Sequence, residues 1–396
     1  MSKITTIIWI ACLFLAVRLP AANSGADFPE DGTYRASPLA GVAEAYLPQV
    51  FASSHAANLL ALKNGDLMCV WFSGTWEGNS DVAIMLARLP KGASQWSKPR
   101  VVDHHAGESY QNPVLFEAPD GTLWIFHTTQ GAGAGEANAK VLVTRSRNGG
   151  AQWSAPEVLF DTPGAFTREP VVVMPNGDWL LPIYIASSVG ITNGAETNYS
   201  VMEISSDRGA HWKSCPVPQS GGYVQPDVIP AGREYLAFFR SRFADYIYRS
   251  TSQDGCVWEA PRKTELPNNN ASIQIAKLAD GHLVLAFDNV GSVLNNGKPK
   301  AGPRKPLSVA LSKDNGQSWN WVRDLETGLE APEPGKDPNR KEPGREEYSY
   351  PSVTQTSDGK IHVAYTYRRY TIKAVRFDER WIEGGSTAGT YKPTRK

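Results

Sequence analysis

Short apolar stretches, each folded about a tight polar turn, recur along the whole chain. Leu59 to Phe72, Val114 to Phe126, Val171 to Tyr184, Val228 to Phe239, Ile273 to Phe287 and Val353 to Tyr367 alternate or run apolar around a glycine turn, mostly Asp-Gly or Asn-Gly. A strand-period pattern broken by such a turn predicts a β-hairpin. The turn glycines are Gly65, Gly121, Gly177, Gly232, Gly281 and Gly359, at steps of 56, 56, 55, 49 and 78 residues. Regular spacing of this size predicts a repeat architecture.

After the first five hairpins comes a third strand-like run, as in Val82 to Ala87, Val141 to Arg145 and Leu307 to Leu311. A second signature then follows: SRNGGAQW (Ser146 to Trp153), SSDRGAHW (Ser205 to Trp212), the shortened SQDGCVW (Ser252 to Trp258) and SKDNGQSW (Ser312 to Trp319), with LPKGASQW, ending at Trp96, as a worn copy. The Asp or Asn accepts turn N–H groups, the glycine supplies positive φ and the indole packs the turn onto its sheet, so these aspartates read as structural. Trailing segments such as Glu157 to Phe160 give each unit a fourth strand. Six units of about four strands predict an all-β fold, a six-bladed β-propeller. Ile372 to Phe377 reads as the third strand of the sixth unit, and the segment near Tyr46 to Phe51 as the strand that closes its sheet.

Composition narrows the picture. The 396 residues are 41% hydrophobic, enough for one large core, and the formal net charge of zero gives no basis for a nucleic-acid surface. Residues 1–25 combine Lys3, the apolar run Ile4 to Val17 and small residues after Pro20, the pattern of a cleaved signal peptide and an exported protein. Acylation at Cys12 is the lesser alternative. The propeller is assigned to residues 26–380 and a tail to residues 381–396. Without the leader three cysteines remain, which leaves either one disulfide, best placed between Cys215 and Cys256 beside the boxes of adjacent repeats, or three buried thiols. Neither zinc spacing nor a calcium loop is present, so no metal or other cofactor is expected. The segment Gly328 to Glu347, within the longest step, reads either as a solvated Pro-rich loop or as the rim of a central pocket.

Boxes of this form inside six repeats resemble the sialidase (neuraminidase) superfamily, in particular its bacterial BNR-repeat branch, over about residues 45–380. The resemblance implies an exo-acting glycosidase whose arginines hold a substrate carboxylate, whose tyrosine is the nucleophile and whose acid protonates the leaving group. FFRSRFADYIYRSTSQDG places Arg240 at the second family arginine, with Arg242 beside it, and GPRKPLSVALSKDNG places Arg304 at the third. EYSYPSVTQTSDG offers Tyr348 as the nucleophile, with Tyr350 in reserve. GTWEGNSDVAIMLAR offers Glu77 as the acid and Asp81 as a structural or orienting group.

The chain departs from the family pattern at three places. His55 stands where the first arginine is expected, Gln225 stands where a glutamate activates the tyrosine, with Asp227 nearby, and Thr366 stands where an acidic residue braces the first arginine. His55 is therefore a candidate for proton chemistry, and Arg168, Arg368 and Arg369 for replacement charge. Three functions remain open: a hydrolase removing a terminal acidic sugar from glycans, a uronate-specific polysaccharide lyase, and a carbohydrate-binding propeller without catalysis. In each case the partner is a glycan bearing a carboxylate.

Overall fold

A computed structural model describes residues 28–187, 195–295, 298–328 and 344–385. The leader and Cys12, most of the Gly328 to Glu347 segment and the end of the tail lie outside the described residues. Six antiparallel sheets form the six blades of a propeller. Blade 1 is built from Ser53–Ala61, Leu67–Gly74, Ala83–Leu89 and Arg100–Asp103, and blade 2 from Glu108–Glu117, Leu123–Gly131, Lys140–Ser146 and Glu157–Phe160. Blade 3 has a split inner strand, Ala165–Thr167 then Val172–Val173, followed by Trp179–Ile185, Tyr199–Ser205 and Lys213–Pro216. Pro170, which lacks an N–H for the ladder, sits in the gap. Blade 4 comprises Tyr223–Ala231, Glu234–Ser241, Tyr246–Ser252 and Arg262–Pro267, and blade 5 comprises Gln274–Lys277, Leu283–Asp288, Leu307–Ser312 and Trp321–Glu326. A hairpin of Ser292–Asn295 and Lys298–Ala301 is inserted between the second and third strands of blade 5. Part of the long 78-residue step therefore precedes the Pro-rich segment.

Blade 6 closes the ring. Tyr348–Gln355, Ile361–Tyr367 and Thr371–Phe377 are completed by Ala43–Tyr46, with Ala43 opposite Arg376 and Tyr46 opposite Lys373. The closing strand lies earlier than the expected Tyr46 to Phe51. Pro48 cannot continue the ladder, and Val50 and Phe51 pack against the core around blade 1 instead. A short helix, Glu379–Glu383, follows the last strand and buries Trp381 and Ile382 in the cluster that contains Phe377. Cys215 and Cys256 form a disulfide between blades 3 and 4, and Cys69 is a buried free thiol.

The boxes fasten each blade to the one before it. In blade 5 the Ser312 hydroxyl donates to Asp314 at 2.7 Å and accepts from the Gly316 N–H at 2.8 Å, while Asp314 Oδ1 accepts from the Ser318 N–H at 2.9 Å. A Cβ on Gly316 would meet Phe238 Cζ of blade 4 at 2.6 Å, and one on Gly150 would meet Met68 Cε of blade 1 at 2.7 Å. Positive φ favours glycine at both positions, and at Gly316 contact with a buried ring of the neighbouring blade favours it again.

Near the axis, side chains of the innermost strands take backbone N–H groups from the next blade. Asn58 accepts from Leu115 at 2.9 Å, Asp227 from Ile275 at 2.7 Å, Gln274 from Val353 at 2.7 Å and Ser352 from Leu59 at 2.8 Å. These bonds satisfy backbone donors that a fanned-out inner strand would otherwise bury unpaired. They also assign Asp227 to the ring.

Candidate active site

Each innermost strand runs from the axis-end loops toward its glycine turn, so its first residues and the loops beyond the second strand gather at the end opposite the boxes. There the pairing register slips, between His55 and Asn58, Gln111 and Val114, Val224 and Asp227, and Ser349 and Ser352. One residue in each slip adopts positive φ: Ala56 at 58°, Asn112 at 47°, Gln225 at 52° and Tyr350 at 53°, with Asn270 at 66° just before the inner strand of blade 5. A bulge of this kind breaks the two-residue alternation and re-aims a side chain.

The bulge decides between the two tyrosines. Tyr348 and Tyr350 would share one face of a regular strand, but the slip at Ser349 to Ser352 separates them. Tyr348 enters the apolar cluster between blades 5 and 6, its ring centre 5.3 Å from that of Tyr367. Burial there pushes its phenol well up, with Tyr367 and Glu326 adding to the effect. Tyr350 instead points among arginines. Its hydroxyl accepts from Arg240 Nη1 at 2.7 Å, and the guanidinium carbons of Arg304, Arg168 and Arg240 lie 5.1, 5.5 and 5.6 Å from its ring centre. Burial raises this phenol too, yet Arg240 and Arg304, helped by Arg242, outweigh burial and the opposing Glu77, leaving its pKa below the ordinary tyrosine value.

Arg240 is held in place from two sides, donating from Nε to Asn270 Oδ1 at 3.0 Å and from Nη1 to Gln225 Oε1 at 3.1 Å. Gln225 therefore contacts the arginine that contacts Tyr350, and its own Nε2 is buried without a hydrogen-bond partner among the described residues. Arg304 donates to Glu347 at 2.5 Å.

Glu347 is the hub of the opposite wall. It pairs with Arg304, Arg345 and Arg369, the last at 3.0 Å, and accepts from the Ser349 hydroxyl at 2.9 Å. Burial alone would raise its carboxyl, but Arg369 and Arg304, with Arg345, hold it well below the usual carboxylate range. The guanidiniums of Arg345 and Arg369 lie 5.5 and 5.2 Å from the Trp76 ring, and Arg369 also reaches Glu77 at 2.9 Å. Glu77 is part-exposed at the mouth, with a side-chain exposure of 36%. The described end of the long segment, Gly344 to Glu347, thus lies on the rim of this pocket.

The other residues singled out in the sequence have more local roles. Asp81 binds the Thr75 N–H at 2.9 Å and the Thr75 hydroxyl at 3.0 Å, closing the loop that carries Trp76 and Glu77. Arg242 pairs with Glu136 at 2.6 Å and lies over the Tyr184 ring. Arg368 turns away to the Gly344 carbonyl at 3.3 Å and to the Tyr370 ring. His55 is buried beside Tyr350, with ring centres 4.2 Å apart, and its Nδ1 meets the Thr366 hydroxyl at 2.7 Å. Burial and then Arg369 push its pKa well below the ordinary histidine value, so it stands as a neutral ring that Thr366 orients, and not as a substitute cation.

Sequence reasoning missed Glu347 and Arg345, and ranked Tyr350 second. For Tyr350 a signal was present. The dipeptides Asn112-Pro113, Gln225-Pro226 and Tyr350-Pro351 mark the same bulge in three blades, and superposing the repeats selects Tyr350 over Tyr348. For Glu347 there is no repeat signal, because Arg304 and Arg369 converge on it from two other loops.

Among the described residues, one group combines His, Asp and Glu at distances suited to a metal ion: Asp280, His282 and Glu379. It lies at the turn of the blade 5 hairpin, at the end opposite Tyr350, with His282 Nδ1 3.0 Å from Asp280 and 2.7 Å from Glu379. No helix among the described residues is long and apolar enough to cross a membrane.

Residues 65–363 match a family described as the BNR repeat-like domain. No characterised protein matches the chain by sequence at a significant level. Among solved structures, a Hadza microbial sialidase superposes with a TM-score of 0.65 at 15% identity, covering 83% of this chain and 66% of its own. An intramolecular trans-sialidase from Ruminococcus gnavus gives 0.64 at 14% identity, over 86% of this chain and 98% of its own. A protein of unknown function from Dyadobacter fermentans gives 0.63 at 16% identity, over 86% and 99%. Identities this low speak for the shared fold alone.

Proposed function

The chain belongs to the BNR repeat-like family within the sialidase superfamily, and from that membership we propose an exported glycoside hydrolase that removes a terminal, carboxylate-bearing sugar from a glycan. The observation that carries this reading is the Tyr350 hydroxyl at the axis, in contact with Arg240 and flanked by Arg304. A phenol that ionises more readily than free tyrosine, inside a cationic wall, suits attack on a sugar whose own carboxylate is held by the same arginines. Export rests on the leader-like residues 1–25.

In this mechanism Arg240 and Arg304 bind the sugar carboxylate, and Tyr350, its proton already lost to solvent and its phenolate stabilised by these arginines, forms a bond from Oη to the anomeric carbon as the glycosidic C–O bond breaks. Glu77, on the loop fixed by Asp81, gives its proton to the departing oxygen. Glu77 then takes a proton from water, whose oxygen replaces Tyr350 at the anomeric carbon, and the sugar leaves with retention. Trp76 offers an aromatic wall at the mouth, where the rest of the glycan would lie.

One observation favours a second reading. Gln225 occupies the place of the activating glutamate, so the group touching Tyr350 Oη is a guanidinium and not a carboxylate base. A phenolate stabilised in this way can also remove the proton α to a uronate carboxylate, the first step of a lyase. The purified mature protein should be incubated with sialosides and with uronate oligosaccharides, alongside its Tyr350→Phe and Glu77→Gln variants. Free acidic sugar from wild type and its loss in both variants supports the hydrolase. An unsaturated, ultraviolet-absorbing product identifies the lyase, and glycan binding without any product identifies a binding propeller.

A further inference from the structure

Arg168 is a costly residue to keep buried. It is 1% exposed, and among the described residues it makes no ion pair. Taking an unpaired guanidinium out of water costs several kcal/mol even after relaxation, so its position calls for a physical reason. The nearest acidic neighbour along the chain, Glu169, does not offset this fully. Burial pushes Glu169 up to about 7, against the pull of Arg168 and bonds from Gln274 and Ser272.

The fork of Arg168 spans the axis. Arg168 starts from the gap in the inner strand of blade 3 and donates from Nη2 to the Pro351 carbonyl of blade 6, from Nη1 to the Ala57 carbonyl of blade 1 and from Nε to the Ser272 hydroxyl of blade 5, each at 3.0 Å. Two of these acceptors belong to residues that directly follow a positive-φ residue, Ala56 and Tyr350. Positive φ in a tyrosine is strained and persists only where surrounding contacts hold it. A planar guanidinium with donors fixed in one plane can hold three acceptors at once, whereas an ammonium on a flexible stem cannot reproduce that geometry.

We propose that Arg168 is a positioning residue: it ties the bulges of blades 1 and 6 and the inner strand of blade 5 to one point on the axis, and so holds the Tyr350-Pro351 kink that aims Tyr350 at Arg240 and Arg304. This inference rests on the reading of Tyr350 as the reacting group. It assigns Arg168 no contact with substrate.

The test follows the ionisation of Tyr350 without any substrate. Ultraviolet difference absorbance of the phenolate is recorded against pH, and subtracting the Tyr350→Phe protein isolates this one tyrosine. In Arg168→Lys the charge stays but the three-way fork is lost, so the Tyr350 midpoint is expected to rise by about one unit or more as the phenol leaves its guanidinium neighbours. In any glycan assay the same variant should lower kcat more than it raises KM. Should Arg168→Lys be too unstable to titrate, Ser272→Ala, which removes one of the three holds, is read in the same way with a smaller upward shift. An unchanged Tyr350 midpoint in the folded variant overturns the inference. A shifted midpoint in a protein that cleaves no glycan leaves it standing and removes the hydrolase reading instead.

Discussion

The two ends of the propeller use polar side chains in opposite ways. At the box end, serines, aspartates and asparagines satisfy backbone N–H groups within their own loops, as Ser205 and Asp207 do for Gly209 and His211 at 2.8 Å each. The arrangement repeats from blade to blade, and most of these carboxylates stay near the surface, where turn N–H groups lower their pKa. At the axis end the backbone bulge repeats, but the charged side chains do not. Arg168, Arg240, Arg304, Glu347 and Arg369 come from different strands and loops, are largely buried and meet only because the ring closes. Repetition with local satisfaction builds a scaffold; convergence of buried charge marks the candidate site.

The sharpest break in this comparison is between two tyrosines two residues apart. Tyr350→Phe is expected to abolish turnover of an acidic glycan, a loss exceeding the ~10²–10⁴-fold that a positioned general acid supplies, while melting close to wild type. Tyr348→Phe should keep most activity, because its ring packs with Tyr367 outside the site. Steady-state assays with thermal melts of both variants decide the matter, and equal activity in the two would remove Tyr350 from the mechanism.

Glu77→Gln comes next, with an expected fall of roughly 10²–10⁴-fold. The loss should shrink for a substrate whose leaving group needs no protonation, such as an aryl glycoside. A loss of equal size on both substrates would assign Glu77 to holding Arg369 and not to proton transfer.

A pH prediction compares buried acids with the surface acids of the boxes. Asp288 is fully buried, bonded at Oδ2 to Asn269 Nδ2 at 3.0 Å, and burial pushes it up to about 8 despite Asn269 and Arg304. A carboxyl whose folded pKa lies above its unfolded value keeps its proton in the native state longer than in the unfolded one. Its contribution to stability is therefore fully present below about pH 4 and lost progressively up to about pH 8, with a slope of at most ~1.4 kcal/mol per pH unit. Asp288→Asn should flatten urea-derived stability across that window relative to wild type. Glu169 and Asp227, also raised by burial, tilt both proteins alike, so the difference between the two curves belongs to Asp288. Parallel curves would show that Asp288 ionises normally.

The sequence made one end of the molecule far more legible than the other. The boxes and glycine turns are local devices whose partners lie within a few residues, so spacing alone predicted the blades and the structural role of the aspartates. The resemblance pointed to Arg240 and Arg304, and both stand beside Tyr350. What spacing could not supply was the bulge, which turns Tyr350 and not Tyr348 to the axis, and Glu347, whose partners Arg304 and Arg369 approach it from separate loops while Arg345 reaches it from its own segment. Alternation within a strand assumes a regular strand, and the site lies where the strands are irregular.

The smallest expected effect tests the scaffold side alone. In Gly316→Ala the new methyl would meet Phe238 Cζ at 2.6 Å and sit at a φ of 73°. Phe238 is a fully buried ring packed edge-on against Trp319, so it has little room to yield. Strain at φ together with a crowded core contact should cost about 1–3 kcal/mol, lowering the melting temperature by several degrees. Because the box lies at the far end of blade 5 from Arg304, activity per folded molecule should stay at the wild-type value. An active-site titration of the variant below its melting point measures this directly. A kcat that fell with stability would mean that the repeated end and the convergent end are coupled through the blade, and the separation of scaffold from chemistry would fail.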